Sequence, residues 1–116
     1  MNESKNKVQL VGFLGGDPEL KETTTGRKVA RFTVATNETY LNNQGETVTE
    51  TQWHHLVAWG KLAEKAEQEL NKGMQVSVEG KLVHRSYVDK EGVKRFTTEV
   101  NVQELAVLSH RTKTEA

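Results

Sequence analysis

The residues best equipped for chemistry fall in two short stretches, Trp53-His54-His55-Leu56-Val57-Ala58-Trp59 and Lys81-Leu82-Val83-His84-Arg85-Ser86-Tyr87. In an extended strand, successive side chains point to opposite faces. Trp53, His55, Val57 and Trp59 therefore share one side, and His54, Leu56 and Ala58 the other. The Leu/Ala side has the character of core. The Trp/His side is broad, flat and amphipathic, which suits the stacking of planar groups. By the same parity Lys81, Val83, Arg85 and Tyr87 line one face, and Lys94 with Arg95 opens the strand that follows. Aromatics interleaved with Lys and Arg suit a single-stranded nucleic acid. Each base stacked on an aromatic side chain is worth about 1–3 kcal/mol. Each phosphate met by a cation releases counterions, and an Arg guanidinium also lies flat on a ring. Two blander readings stand beside this one: the indoles are core residues, and the cationic strand is the solvated face that any barrel presents.

Other chemistry lacks its residues. Gly12-Phe13-Leu14-Gly15-Gly16 is glycine-rich, but no Gly-Lys-Ser/Thr follows, so it reads as a turn and not a phosphate loop. His54 and His55 are adjacent and point to opposite faces, so they cannot chelate one metal together. His84 and His110 are isolated in the sequence, and no Ser sits in a recognisable nucleophile motif. The chain has no cysteine, which excludes disulfides, thiolate metal sites and thiol nucleophiles and is compatible with a reducing compartment. No metal, cofactor or catalysis is expected.

Positioning those residues falls to one domain. The chain has 116 residues, of which 34% are hydrophobic, enough for a single thin core. No apolar run approaches the ~20 residues of a membrane span, and the polar start Met1–Lys7 is no secretory signal. Sixteen Lys and Arg balance sixteen Asp and Glu, whereas binders of polyanions are usually basic. Segregation reconciles the two. Glu64–Glu69 holds three acids and one Lys, while Lys81–Tyr87 holds two cations and no acid, so a neutral chain can still carry a cationic stripe.

Strand patterning dominates. Strands are predicted over Val8–Leu14, Lys28–Tyr40, Thr47–Trp59, Met74–Val88 and Arg95–Leu108, with a bulge at Gly80. Turns fall at Gly15-Gly16-Asp17-Pro18, Thr23–Gly26, Asn42–Gly45 and Asp89–Gly92. Leu62, Ala66 and Leu70 repeat every four residues among Glu and Lys, which predicts a helix of about ten residues stopped by Gly73. The order β-β-β-α-β-β predicts an all-β, five-stranded OB-fold barrel with one helix between strands 3 and 4. A β-sandwich is the structural alternative. The domain is expected over residues 1–108, with 109–116 as a short, polar, frayed tail.

The residues also resemble the bacterial single-stranded DNA-binding proteins of replication, from Asn6 to about Val102. The segments that carry the resemblance are Asn6-Lys7-Val8, Val11–Glu19, Ala35–Tyr40, Thr51–His54, Trp59–Glu64, Lys72–Val76, Val78–Leu82 and Arg95–Val100. Any one is weak, and together, in order and at these spacings, they are specific. The resemblance implies an OB fold, commonly a homotetramer, that coats single-stranded DNA with little sequence preference in replication, recombination and repair. It implies a cytoplasmic, nucleoid-associated protein that is not an enzyme. It maps base-stacking aromatics onto Tyr40, Trp53, Trp59 and Tyr87, and cationic contacts onto Lys7, Lys61, Lys72, Arg85 and Arg95, with Lys81 added. His54 matches a position of subunit contact. Tyr40 shares parity with Phe32 and Val34, so it reaches the stacking side only if its strand twists or bulges.

Three departures accompany the resemblance. Trp59 stands where Phe is common. His55 stands where Arg is common, which leaves it a possible DNA contact with little charge at pH 7. The last residues, Ser109–Ala116, have two cations and one acid, unlike the acidic tip of the family. The expectation is a short form without that tail, with tail-mediated recruitment of replication proteins in doubt. Two rivals remain at this stage: an OB protein that mainly assembles a complex, such as a dimeric primosomal accessory factor, and a nuclease on an OB-like barrel.

Overall fold

The computed structural model describes residues 4–109. Its elements, in chain order, are β1 (Val8–Leu14), β2 (Glu19–Glu22), β3 (Lys28–Leu41), β4 (Thr47–Trp59), α1 (Lys61–Glu69), β5 (Gln75–Val88) and β6 (Lys94–Ser109). Alternation along the strands builds the core. Ala30, Phe32 and Val34 of β3, Leu56 and Ala58 of β4, Val76 and Val78 of β5, and Val100, Val102 and Leu105 of β6 are buried in one cluster. Their neighbours of opposite parity face outward.

Five strands close on themselves. β1 pairs antiparallel with β5 on one side and, through Phe13 opposite Ala35 and Leu14 opposite Val34, with β3 on the other. β5 pairs with β6 and β3 with β4, both antiparallel, while β4 and β6 meet in parallel only at Leu56–Val100 and Val57–Asn101. Closure of this ring decides for the barrel over the sandwich. It also requires Gly12, where any Cβ would run into the Ala35 carbonyl. The β5–β6 register does shift beside Gly80, but the extra residue is Gln103 on β6 and not Gly80 itself, which is needed because a Cβ there would meet the Asn101 carbonyl.

The prediction of helix position needs correction. A short strand, β2, lies on the edge of β3, with Glu19 opposite Arg31 and Glu22 opposite Lys28. Its sequence, ELKE, has a single apolar residue and no alternation, so no strand is predicted there. The helix therefore follows the fourth strand, lying between β4 and β5 instead of between strands 3 and 4. Ala63, Ala66 and, just past its end, Leu70 face the core, so α1 plugs one end of the barrel. Lys65 Nζ donates to the Leu105 carbonyl at 2.9 Å and ties the helix to β6.

The three hairpins share one turn. Thr23, Asn42 and Asp89 each open it, and Gly26, Gly45 and Gly92 supply the left-handed residue at φ 86°, 78° and 81°. In each, the side-chain oxygen of the opening residue accepts the backbone N–H four positions on, from Arg27, Glu46 and Val93. A short side-chain acceptor followed by glycine at the fourth position fixes the strand register on either side. The N-terminal arm is held by Asn6, whose side chain exchanges two hydrogen bonds with the backbone of Leu82, at 2.9 and 2.8 Å. β6 runs to Ser109, one residue past the expected domain end. The rest of the expected tail, 110–116, lies outside the described residues. No helix among the described residues is long and apolar enough to cross a membrane.

Candidate nucleic-acid interface

The outward parity of β3, β4, β5 and β6 assembles a single surface. Trp53 is 57% exposed. One edge of its ring rests over Gly15, where a Cβ would collide with the indole and come within 2.7 Å of Thr33 Oγ1. His55, two residues on and opposite Thr33, is exposed. Val57 on the same face is buried, so the outer side of β4 is not uniformly open. Trp59 is half-buried, and the Arg27 guanidinium sits 4.6 Å from its ring centroid. Of the two indoles, Trp53 offers a bare plane, and Trp59 is already capped by a cation.

Beside this face the β4–β6 seam opens. The two strands pair at only two positions, and where they diverge a cleft of about 580 Å³ forms. Arg31, His55, Phe96 and Glu99 line it, with Gly16 and Asp17 from the β1–β2 loop. Glu99 is 9% exposed and is the only buried charged residue among the described residues. Its Oε2 accepts from Arg31 Nη1 of β3 at 2.9 Å, and its Oε1 from Arg85 Nε of β5 at 3.0 Å. Both guanidiniums remain about half exposed. A carboxylate so placed is costly unless charged partners satisfy it, and the two arginines do so.

The other expected residues are more dispersed. Tyr87 faces Arg95 across the β5–β6 hairpin and is half exposed. Arg95 Nε donates to Asp89 Oδ2 at 2.9 Å. That bond, with N–H donation from Val93 and, more weakly, Glu91, holds the Asp89 carboxyl below the usual carboxylate range against an opposing cost of desolvation. Lys81 is exposed and makes no ion pair among the described residues. Lys7 pairs with Glu79 at 3.4 Å. Lys61 opens α1 and Lys72 follows it, both exposed; the Lys72 N–H bonds Asp17 Oδ1 at 2.8 Å, next to the cleft. Tyr40 is exposed on the β3–β4 hairpin. The ladder there runs without a register shift from Val29–Trp59 to Leu41–Thr47, so no bulge turns Tyr40 to the Trp53 face; it is bare because the hairpin outruns the core. His54 is half-buried on the inner parity, 2.9 Å from Thr36 Oγ1. No group of three or more His, Asp or Glu is arranged to hold a metal among the described residues.

An exposed indole, an exposed imidazole and two anchored guanidiniums thus lie on the outer side of a closed five-stranded barrel. Residues 5–108 match the Single-strand binding protein family. The chain belongs to that family. It is 45% identical over 109 residues to "Single-stranded DNA-binding protein 1" of Chlorobaculum tepidum, covering 93% of this chain and 67% of that one. Its structure is similar to that of a Plasmodium falciparum SSB in complex with ssDNA, with a TM-score of 0.84 and 33% identity over 94% of this chain and 100% of the other.

Three residues of this single-strand binding family member escaped the sequence reading. Arg31 follows from parity, being flanked by the inward Ala30 and Phe32, but it sits in a strand whose β-branched residues drew attention to packing. Phe96 is 74% exposed, with Lys94 Nζ 5.5 Å from its ring centroid. It shares parity with the buried Val100, so alternation gives no sign of its exposure; it is bare because the β5–β6 hairpin extends beyond the barrel. Arg27 lies in a turn, and only the fold brings it over Trp59.

Proposed function

We propose that this protein binds single-stranded DNA without sequence preference, stacking bases on exposed aromatics and neutralising phosphates with Lys and Arg. The observation that carries this reading is the bare Trp53 plane beside His55 and the Arg31–Glu99–Arg85 group on one side of the barrel. Membership of the single-strand binding family and likeness to an SSB in complex with ssDNA support it. Trp53 is the principal stacking residue, with Trp59, Tyr87 and Tyr40 as further platforms and the exposed His55 ring beside it. Arg85, Arg95, Lys81, Lys7, Lys61 and Lys72 meet phosphates along the path. Residues 1–108 act as the binding domain. His54 lies at a subunit contact of a homotetramer, around which the strand wraps. Coating of this kind shields exposed strands from nucleases and re-pairing during replication, recombination and repair, in association with the nucleoid. The protein acts by binding and does not catalyse a reaction.

Titration with poly(dT), followed by tryptophan emission, tests this. Strong saturable quenching that weakens with salt is the expected result. Unchanged emission together with no retention of a labelled single strand would refute it.

A further inference from the structure

We propose that Glu99 is a positioning residue of the DNA interface: its carboxylate holds Arg31 and Arg85, from two strands that do not pair with each other, as a fixed pair of cations at the rim of the β4–β6 cleft. The inference rests on the reading above. Within the sheet, β3 and β5 are separated by β4 and β6, and the seam between those two is the part that opens. The backbone ladder crosses the seam from Arg31 through Val57 and Asn101 to Lys81 and fixes the strands, but it does not fix where the long side chains of Arg31 and Arg85 end. Glu99, on β6 opposite Val83, spans that gap with one oxygen for each arginine.

An acid on a polyanion-binding face lowers the local positive potential, so electrostatics alone disfavours it. Its benefit is order. Arg side chains carry large rotamer entropy, and ordering them on binding has a cost. Nε of Arg85 and one Nη of Arg31 are engaged by the carboxylate, which leaves the outer N–H groups of both guanidiniums presented to solvent and available to a phosphate. The burial of Glu99 against the half-exposed arginines gives the same direction: the acid is the fixed post, and the cations are the presented groups.

The two accounts of Glu99 predict opposite signs. Glu99→Gln keeps shape and removes the negative charge. If Glu99 only opposes phosphate, this variant binds poly(dT) tighter, with a steeper salt dependence. If it positions the arginines, the variant binds more weakly, by about tenfold at moderate salt, although the protein has gained net positive charge. Arg85→Lys keeps the charge and loses the Nε bond. Its loss should overlap with that of Glu99→Gln in the double variant, because both break one contact. Tighter or unchanged binding by Glu99→Gln, or strictly additive losses, overturns the proposal. Should Glu99→Gln fail to fold, Arg31→Lys, Arg85→Lys and their double variant decide it: non-additive losses support one shared carboxylate, and additive ones refute it. If the unsubstituted protein does not bind poly(dT), the functional reading itself has failed and the proposal falls with it; failure of the proposal alone leaves that binding intact.

Discussion

The Trp53 indole lies over Gly15, close enough that no side chain at position 15 leaves the ring where it is. β1 ends one residue earlier, and the Gly15 N–H donates to the Thr33 carbonyl at 3.0 Å. A piece of bare backbone thus seats one edge of the ring, and more than half of the residue stays open to solvent. Trp53→Ala should weaken single-strand binding by about 1–3 kcal/mol with little change in unfolding midpoint, since a ring 57% exposed contributes little to the core. Gly15→Ala should displace the ring, change tryptophan emission and weaken binding, whereas Gly16→Ala, with open space around it, should do neither. Equal binding by the Gly15 and Gly16 variants would show that the ring's seat is irrelevant.

Trp59 should behave differently from Trp53. Arg27 covers its ring at 4.6 Å, so a base must displace or share with a guanidinium to stack there. Trp59→Ala should cost less binding than Trp53→Ala and more stability. Arg27→Ala should shift Trp59 emission to longer wavelength and remove a cation–π contact worth about 0.5–1 kcal/mol at an exposed site. A Trp59 loss in affinity as large as that at Trp53 would contradict this ranking.

The free cation should count for more than the paired one. Lys81 has no ion pair among the described residues, while Lys7 already meets Glu79. Lys81→Ala should reduce the slope of log affinity against log salt by up to about 0.7, the value for one single-strand phosphate. Lys7→Ala should change it less, because DNA must first displace a carboxylate. Titrations at several salt concentrations check the order, and a larger effect at Lys7 would reverse it.

Acid should loosen the β5–β6 turn. The Arg95 bond and the turn N–H groups depress the Asp89 carboxyl. A group depressed by folding adds stability above its unfolded pKa, about 3.9 for Asp, and that contribution is lost as pH falls through the lower folded value. The pair is intact at neutral pH. The amide resonances of Glu91 and Val93, whose N–H groups bond Asp89 Oδ1 at 2.9 Å, should move only below the ordinary Asp range. Asp89→Asn should abolish that transition and release Arg95. An Asp89 titration at or above the ordinary value would exclude the proposed bonding.

Parity along Thr47–Trp59 and Met74–Val88, the turn chemistry of Asn42–Gly45 and Asp89–Gly92, and the four-residue repeat of α1 determined by sequence alone the long strands, their hairpins and the single helix, in an order that suits a barrel but left a sandwich open. Those signals are local, because strand alternation and turn preference act over two to five residues. The outward exposure of Trp53 was legible for the same reason: the alternation that sets its face is carried by its own sequence neighbours on β4. β2 was not legible, since an edge strand borrows its register from β3 and needs no alternation of its own. Arg31 on Glu99, Arg27 on Trp59 and the exposure of Phe96 join residues far apart in the chain. Only closure of the barrel, and the seam it leaves between β4 and β6, decides which distant side chains share a surface and where a hairpin outruns the core.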